Sequence, residues 1–422
     1  MTITRNSIAF HKDSLWKLYD ALKEKKLSLD MTRGKPCPAQ LSLSWDMLRI
    51  TSTHTASGID CWNYGHLEGL PEARALCARY LGTNPKYTIA ASGGSLSLMA
   101  GFIEQALLRG LPGWKAPGVR LKVLCPTPGY DRHHAICELY GMEMISVPMR
   151  KKGPDMRVVR KLVRDPSVVA MWCSPKYHNP TGITWSPKIV RALANMSCAC
   201  PGFRLLWDNA YAVHDFGVRS DYLESIMRAS LTAGTEDRPI LFGSFSKVTF
   251  ASGGISFMGM SGKNFDWLRK SLFVQTIGPD KLNQLRHMRF LKNMPGIRAH
   301  MRKHAHIVAP KFAVVDEVLM RELGGKGIAK WNVPRGGYFI SLYMEKGSAK
   351  RVVELAGNLG VKLTPAGAAF PYGRDPDDSH IRIAPTFPDI GELRLAAEVL
   401  VLCAKIAHFE KWPQESIPLA AY

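Results

Sequence analysis

Lys247 lies in the run Gly243 to Gly254, GSFSKVTFASGG, between two apolar stretches, Pro239–Phe242 and Ile255–Met260. An amine held there, away from water and among hydroxyl donors, is suited to a Schiff base with an aldehyde cofactor. Alone the signal is weak, since most Ser-Lys dipeptides are solvated loop residues. It gains weight from three companions in order along the chain: HNPTG at 178–182, DNAYAVHDF at 208–216 and IRIAPT at 381–386.

Those residues need a frame. From residue 121 onward β-rich runs alternate with helical segments: LKVLCP (121–126), VVAMWCSP (168–175), FRLLWDNAY (203–211), PILFGSFSK (239–247) and ISFMGM (255–260). The alternation predicts a mostly parallel sheet with helices on both faces. Ligands of such sheets collect beyond the carboxyl ends of the strands. Asn179, Asp208, Tyr211 and Lys247 all fall at or just after such ends. Upstream, ASGGSL at 91–96 opens a helical pattern that stops at Gly110. A Gly-rich turn feeding a helix N-terminus offers free N–H groups to a phosphate, although many such turns bind nothing.

Residues 11–26 predict an amphipathic entry helix, followed by an extended loop enforced by Gly34, Pro36 and Pro38. The stretch 63–82 turns at Gly69 and Pro71 and becomes a helix ending near Gly82. After about residue 310 the texture changes to an α+β module containing WNVPRGGYFISLY, a helix from Ala349 to Gly360, and the strand-like HIRIAPT.

A chain of 422 residues is long enough for two domains, because single cores stop growing near ~250–300 residues. With 46% hydrophobic and 22% charged residues it reads as globular. No run approaches the ~20 apolar residues that span a bilayer, and the first residues lack the apolar core of a signal peptide. Nine cysteines without a CxxC pair argue against a disulfide framework and for a cytoplasmic home. Lysine and arginine number 56 against 35 acids, a net charge of +21. Clusters at Lys281–Arg335 and Arg150–Arg164 would attract anions, or form solvated basic faces without a partner. No RNA-binding, zinc-finger or basic-zipper motif accompanies them, so no nucleic acid is expected. His300 and His304, spaced i, i+4, read as part of a solvated basic helix rather than a metal pair, and no metal is expected.

Ten segments carry a resemblance: TRGKP, YGHLEGLPEAR, CPTPGYDRH, WCSPKYHNPTG, WDNAYAVHDF, SKVTF, QTIGPDKLNQLRH, GGYFISLY, AGAAFPYG and IRIAP. Together they resemble pyridoxal-phosphate enzymes of fold type I, and within them the type Ic bacterial aspartate aminotransferases. The resemblance implies an α/β fold: a large domain with a mostly parallel seven-stranded sheet, plus a smaller α+β domain from both termini. The implied division is 1–50, 51–309 for the cofactor-binding domain, and 310–422.

It also implies roles. Lys247 would form the aldimine with pyridoxal 5'-phosphate and shuttle protons at the substrate Cα. Asp208 would face the pyridine nitrogen, which must stay protonated to act as an electron sink. Asn179 and Tyr211 would serve the phenolate oxygen, and Tyr130 would stack on the ring. Gly94, Ser95, Leu96, Ser244 and Ser246 would contact the phosphate. Arg382 would clamp the substrate α-carboxylate, with Asn179 and the loop of Gly34 closing on the substrate. Tyr64 would cross from a second subunit of a homodimer. The wider superfamily places an arginine eight residues after the lysine, where this chain has Ile255. Around the cofactor the chain also departs from the subgroup pattern, at Ala91-Ser92-Gly93-Gly94-Ser95, Ala100-Gly101 and Ser244-Phe245-Ser246.

The leading expectation is an aminotransferase acting on an α-amino acid through a quinonoid intermediate. The alternative diverts that intermediate into β/γ-elimination, replacement or C–C bond formation. It would use an anionic or nucleotide-like co-substrate, resembling S-adenosylmethionine or a dinucleotide, drawn by the basic surface.

Overall fold

A long apolar run must be covered on both faces, and VVAMWC shows the consequence: all six residues of the strand Val168–Cys173 are buried. It lies near the middle of an eight-stranded sheet in a computed structural model that describes residues 5–114, 119–217 and 219–411. The spatial order is Thr88–Ser92, Ile255–Gly259, Pro239–Ser244, Arg204–Asp208, Val168–Cys173, Lys122–Thr127, Glu143–Arg150 and Gly153–Pro154. Ile255–Gly259 runs antiparallel to both neighbours, as does the two-residue edge strand to its one neighbour; the other pairings are parallel. The seven expected strands are therefore present with one short addition.

This order brings the carboxyl ends of Thr88–Ser92, Lys122–Thr127, Val168–Cys173, Arg204–Asp208 and Pro239–Ser244 to one edge of the sheet. Two of the strands have no strong sequence signal. Thr88–Ser92 is built of small residues, and Glu143–Arg150 mixes buried and solvent-facing positions along an outer strand.

The residues from Cys61 to Met301 build one hydrophobic core around this sheet. A second core joins Tyr19, Leu29 and Met31 to residues between Val308 and Ala407. The helix Met294–Leu323 serves both: Ile297 and Met301 enter the first core, and Val308 through Leu323 the second. In the smaller part, Ile340–Met344 is the middle of a three-stranded antiparallel sheet and pairs Ser341 with Arg382.

The N-terminal segment is stitched to this part. Leu29–Asp30 pairs in parallel with Val361–Lys362, and the Ala384 N–H donates to the Met31 carbonyl at 3.2 Å. Lys311, buried in the long helix, gives its protons to the carbonyls of Thr386, Phe387 and Pro388. A buried ammonium must be compensated in this way, and the three bonds fix the loop after the Arg382 strand.

Burial also holds several imidazoles neutral. Desolvation lowers the pKa of His178, His214, His304 and His380 to about 3, and of His134 and His287 to about 4. In the unfolded chain the same groups take up protons near pH 6.5. Below that pH the unfolded state binds more protons, so folding stability must fall as pH drops from about 6.5 toward 4. The loss should reach about 1.4 kcal/mol per pH unit for each such group. Urea unfolding midpoints measured from pH 8 to pH 5 should hold steady above 7 and decline below 6.5. A flat profile down to pH 5 would contradict this burial.

Candidate active site

Asp208 ends its strand with the carboxylate buried. A charge there needs partners. His133 Nε2 donates to Oδ2 at 3.1 Å, and the Ala210 N–H donates to Oδ1 at 3.2 Å. His133 sits in the first turn of the helix Asp131–Leu139, and its ring stacks on Trp172 with centroids 4.2 Å apart and planes 5° from parallel. Tyr130, immediately before that helix, lies edge-on to His133 at 4.9 Å. Sequence reading singled out Tyr130 and Asp208 but missed His133. Its signal was present in CPTPGYDRH, three residues after Tyr130.

Lys247 emerges from the next strand along. Its Nζ lies 5.3 Å from the Tyr211 ring centroid and 6.0 Å from that of Tyr338. Burial lowers its pKa while the Asp208 carboxylate pulls the other way. Tyr211 is buried, and its phenol is pushed well up, first by desolvation and then by Tyr130 and Asp208, with Arg382 opposing. Desolvation, followed by Asp208 and Asp131, raises the Tyr130 phenol to about 12. The structure thus gathers Tyr130, Asp208, Tyr211, Lys247 and Arg382 into one electrostatic cluster.

The turn carrying Lys247 is tightly specified. The Ser246 N–H donates to Ser244 Oγ at 3.0 Å, and the two hydroxyls meet at 2.8 Å. A Cβ on Gly254 would lie 2.6 Å from the Ser246 nitrogen, so this glycine permits the close approach. His214 Nε2 donates to the Lys247 carbonyl at 3.3 Å.

The next carbonyl, of Val248, faces His300 Nε2 at 2.8 Å, and His304 Nε2 lies 3.1 Å from that same His300 nitrogen. Both histidines are buried, which corrects the expectation of a solvated helix. The tautomer of His304 follows from its neighbours. Gln40 Oε1 accepts from the Cys37 N–H, so Gln40 Nε2 is the donor to His304 Nδ1 and to Tyr338 Oη, each at 3.1 Å. His304 therefore carries its proton on Nε2, the nitrogen that lies against His300. A chain of donors runs from the segment after Gly34 to the residue after Lys247. Among the described residues no group of three His, Cys, Asp or Glu could hold a metal.

At the other end of the site, Gly93 takes φ of 74° and Gly94 precedes the helix Ser95–Arg109, whose N-cap makes no side-chain bond. Gly94 lies beside the lysine turn, since a Cβ there would be 3.9 Å from Ser246 Oγ. Ser95 is half-buried and Leu96 more open. Ile255 is buried and paired with Ser92, so no guanidinium stands at that position. Asn179 is buried with its side-chain oxygen unpartnered.

Arg382 is buried on its strand, its guanidinium 5.1 Å from the Phe339 ring centroid. Gly34 rests on the same ring: a Cβ there would lie 2.6 Å from Phe339 Cζ. Tyr64 is 78% exposed, and its carbonyl accepts from the buried Lys281.

The chain matches the aspartate amino-transferase family over residues 3–416. It belongs to that family. A protein of Mycolicibacterium smegmatis named as an aminotransferase is 45% identical over 404 residues, covering 93% of this chain and 94% of its own. The aspartate aminotransferase of Corynebacterium glutamicum is 40% identical over 409 residues, covering 96% and 94%. The crystal structure of a protein from Corynebacterium diphtheriae, named as an aminotransferase, superposes with a TM-score of 0.92. It shares 44% identity and covers 94% of this chain and all of its own.

This chain is a pyridoxal-phosphate-dependent aminotransferase acting on amino acids. The residues present fit that cofactor: an uncapped helix N-terminus beside two serine hydroxyls, a buried carboxylate, an unspent amide and a less basic lysine. Replacing His304 with leucine should remove the contact on His300 and leave the Gln40 amide short of an acceptor. The variant should lose about 1–3 kcal/mol of stability in urea unfolding. An unchanged midpoint would show the chain of donors to be dispensable.

Proposed function

We propose that this aminotransferase takes aspartate as its amino donor and that Lys247, Asp208 and Arg382 carry the reaction. The observation that carries the substrate is the likeness to the Corynebacterium glutamicum aspartate aminotransferase along nearly the whole chain. The arginine buried on Phe339, beside the lysine's aromatic cluster, supports an α-carboxylate anchor.

Pyridoxal phosphate, when bound, supplies an aldehyde and a protonated ring that draws electrons from the substrate Cα. Lys247 is the residue that would hold the aldehyde carbon, and its Nζ would take the substrate Cα proton and return it. Burial, which lowers its pKa, favours the unprotonated amine that this role needs. Asp208 would keep the proton on the ring nitrogen, and His133 holds the carboxylate in place. Asn179 and Tyr211 would donate to the phenolate oxygen, and Tyr130 would cover the ring. Gly94, Ser95, Leu96, Ser244 and Ser246 would hold the phosphate. Arg382 would bind the α-carboxylate, and Gly34, with no side chain, lets its loop pack directly on Phe339 beside that arginine.

We also infer a homodimer in which Tyr64 of one protomer reaches the site of its partner. Trp62, Tyr64, Val274 and Ile277 leave large apolar surfaces exposed, and a Cβ on Gly278 would lie 2.9 Å from the Gly65 carbonyl, so the two segments adjoin. The division at 1–50, 51–309 and 310–422 remains our proposal, supported by the two cores; residues 1–4 and 412–422 lie outside those described. Among the described residues no helix is long and apolar enough to cross a membrane. We place the protein in the cytoplasm on its nine free cysteines.

Elimination or replacement with a nucleotide-like co-substrate is not favoured, because the relatives are named as aminotransferases. Two of the basic residues that suggested it, Lys281 and Lys311, are buried and bonded to backbone carbonyls.

A donor panel with 2-oxoglutarate should give aspartate turnover on the order of ten per second. Brisk turnover of another amino acid with none of aspartate would overturn the substrate assignment. Lys247→Ala should abolish both turnover and the borohydride-reducible cofactor linkage. Mixing that variant with an inactive Tyr64 variant should restore part of the activity through hybrid dimers. No complementation after demonstrated subunit exchange would count against the shared site.

A further inference from the structure

A carboxylate-binding arginine is most useful when its donors face the site unpaired. Arg382 is not in that condition. Nη1 donates to Asp131 Oδ1 at 2.9 Å, Nη2 reaches Thr364 Oγ1 at 3.4 Å, and Nε is buried without a partner. Among the described residues, Asp131 is the one acid in ion-pair contact with it. Asp131 opens the helix Asp131–Leu139, where a negative charge is favoured by the helix dipole. It directly follows Tyr130, and its side chain is one-third exposed.

We propose that Asp131 is a resident competitor for the substrate's carboxylate, occupying the Nη1 side of Arg382 and leaving the Nε–Nη2 edge for the amino acid. This rests on the reading of Arg382 as the α-carboxylate anchor.

The argument is electrostatic. A guanidinium taken out of water needs a counter-charge, and before substrate arrives Asp131 supplies it. When an α-carboxylate docks on the other edge, two anions share one cation. Their repulsion subtracts from the attraction, so affinity is held down. Amino acid and keto acid both carry that carboxylate and must exchange at the same arginine in each half-reaction. A site that bound it at full strength would release product slowly. Asp131 thus acts as a specificity and exchange residue, touching the substrate only through the arginine they share. Thr364 steadies the guanidinium without adding charge.

The test uses the cofactor-loaded enzyme and succinate, a dicarboxylate with no amino group to react. Asp131→Asn keeps the size and an acceptor for Nη1 but removes the charge. Calorimetry should show succinate binding tightened about tenfold, with KM and kcat for aspartate both lowered as release slows. Asp131→Ser, smaller and also neutral, carries the same expectation if the asparagine variant folds poorly. A folded, cofactor-bound Asp131→Asn enzyme that binds succinate no more tightly than wild type overturns the proposal, leaving Asp131 as an orienting group only. Arg382→Leu separates the underlying reading. If it loses succinate binding while Asp131→Asn gains none, the anchor stands and the competitor falls. If it binds succinate as wild type does, the anchor itself is wrong and the proposal falls with it.

Discussion

A carboxylate removed from water at the end of a central strand sets the terms for this site. Asp208 cannot stay charged there unaided, and its partner His133 comes from a different part of the chain. Trp172, on the neighbouring strand, fixes that imidazole by stacking. The parallel order then places the Lys247 turn on the other side of the same strand. Two effects meet at the lysine: burial lowers its pKa, and the carboxylate raises it. Burial wins. The amine is less basic than in water while its nearest strong anion is already engaged with a histidine.

Donors buried in the helix Met294–Leu323 connect the smaller part to this frame. His300 faces the carbonyl after Lys247 with His304 against it, and Lys311 gathers the loop after Arg382. Gln40 bonds His304 and Tyr338, while Gly34 rests on Phe339. The segment from Gly34 to Gln40 therefore reaches toward both the Arg382 and the Lys247 ends. Movement of that segment would be felt at the Val248 carbonyl, because imidazole donors have few alternative acceptors once buried.

Much of the site was legible because its chemistry restricts residue type. A lone lysine after one strand and an aspartate closing another each stand where an apolar run stops, whereas Arg382 lies inside the strand His380–Ile383 and was reached only through the resemblance. Fully buried strands such as Val168–Cys173 announce themselves by continuous apolarity. Glu143–Arg150 does not, because an outer strand mixes exposed and buried positions. His300 and His304 were misread because Arg302 and Lys303 between them make the helix look wet. Which face of that helix turns inward is decided by Gln40 and Val248, distant in sequence. The pairing of Asp131 with Arg382 spans 251 residues and leaves no local trace.

On the proposed reading, the phosphate end shows how a missing charge redistributes demand. Ile255 is packed and paired where the wider superfamily has an arginine, so the nearby compensation comes from partial charges. A helix N-terminus offers about half a positive charge, and the hydroxyls of Ser244 and Ser246 offer hydrogen bonds but no net charge. A cradle of that kind discriminates by shape more than by Coulomb attraction. The net charge of +21 can make up part of the difference at longer range, drawing anionic cofactor and substrates toward the protein without any one residue being assigned to them. Such a field is screened within about 8 Å at physiological ionic strength. Final selection therefore rests with the buried groups, where screening is weakest.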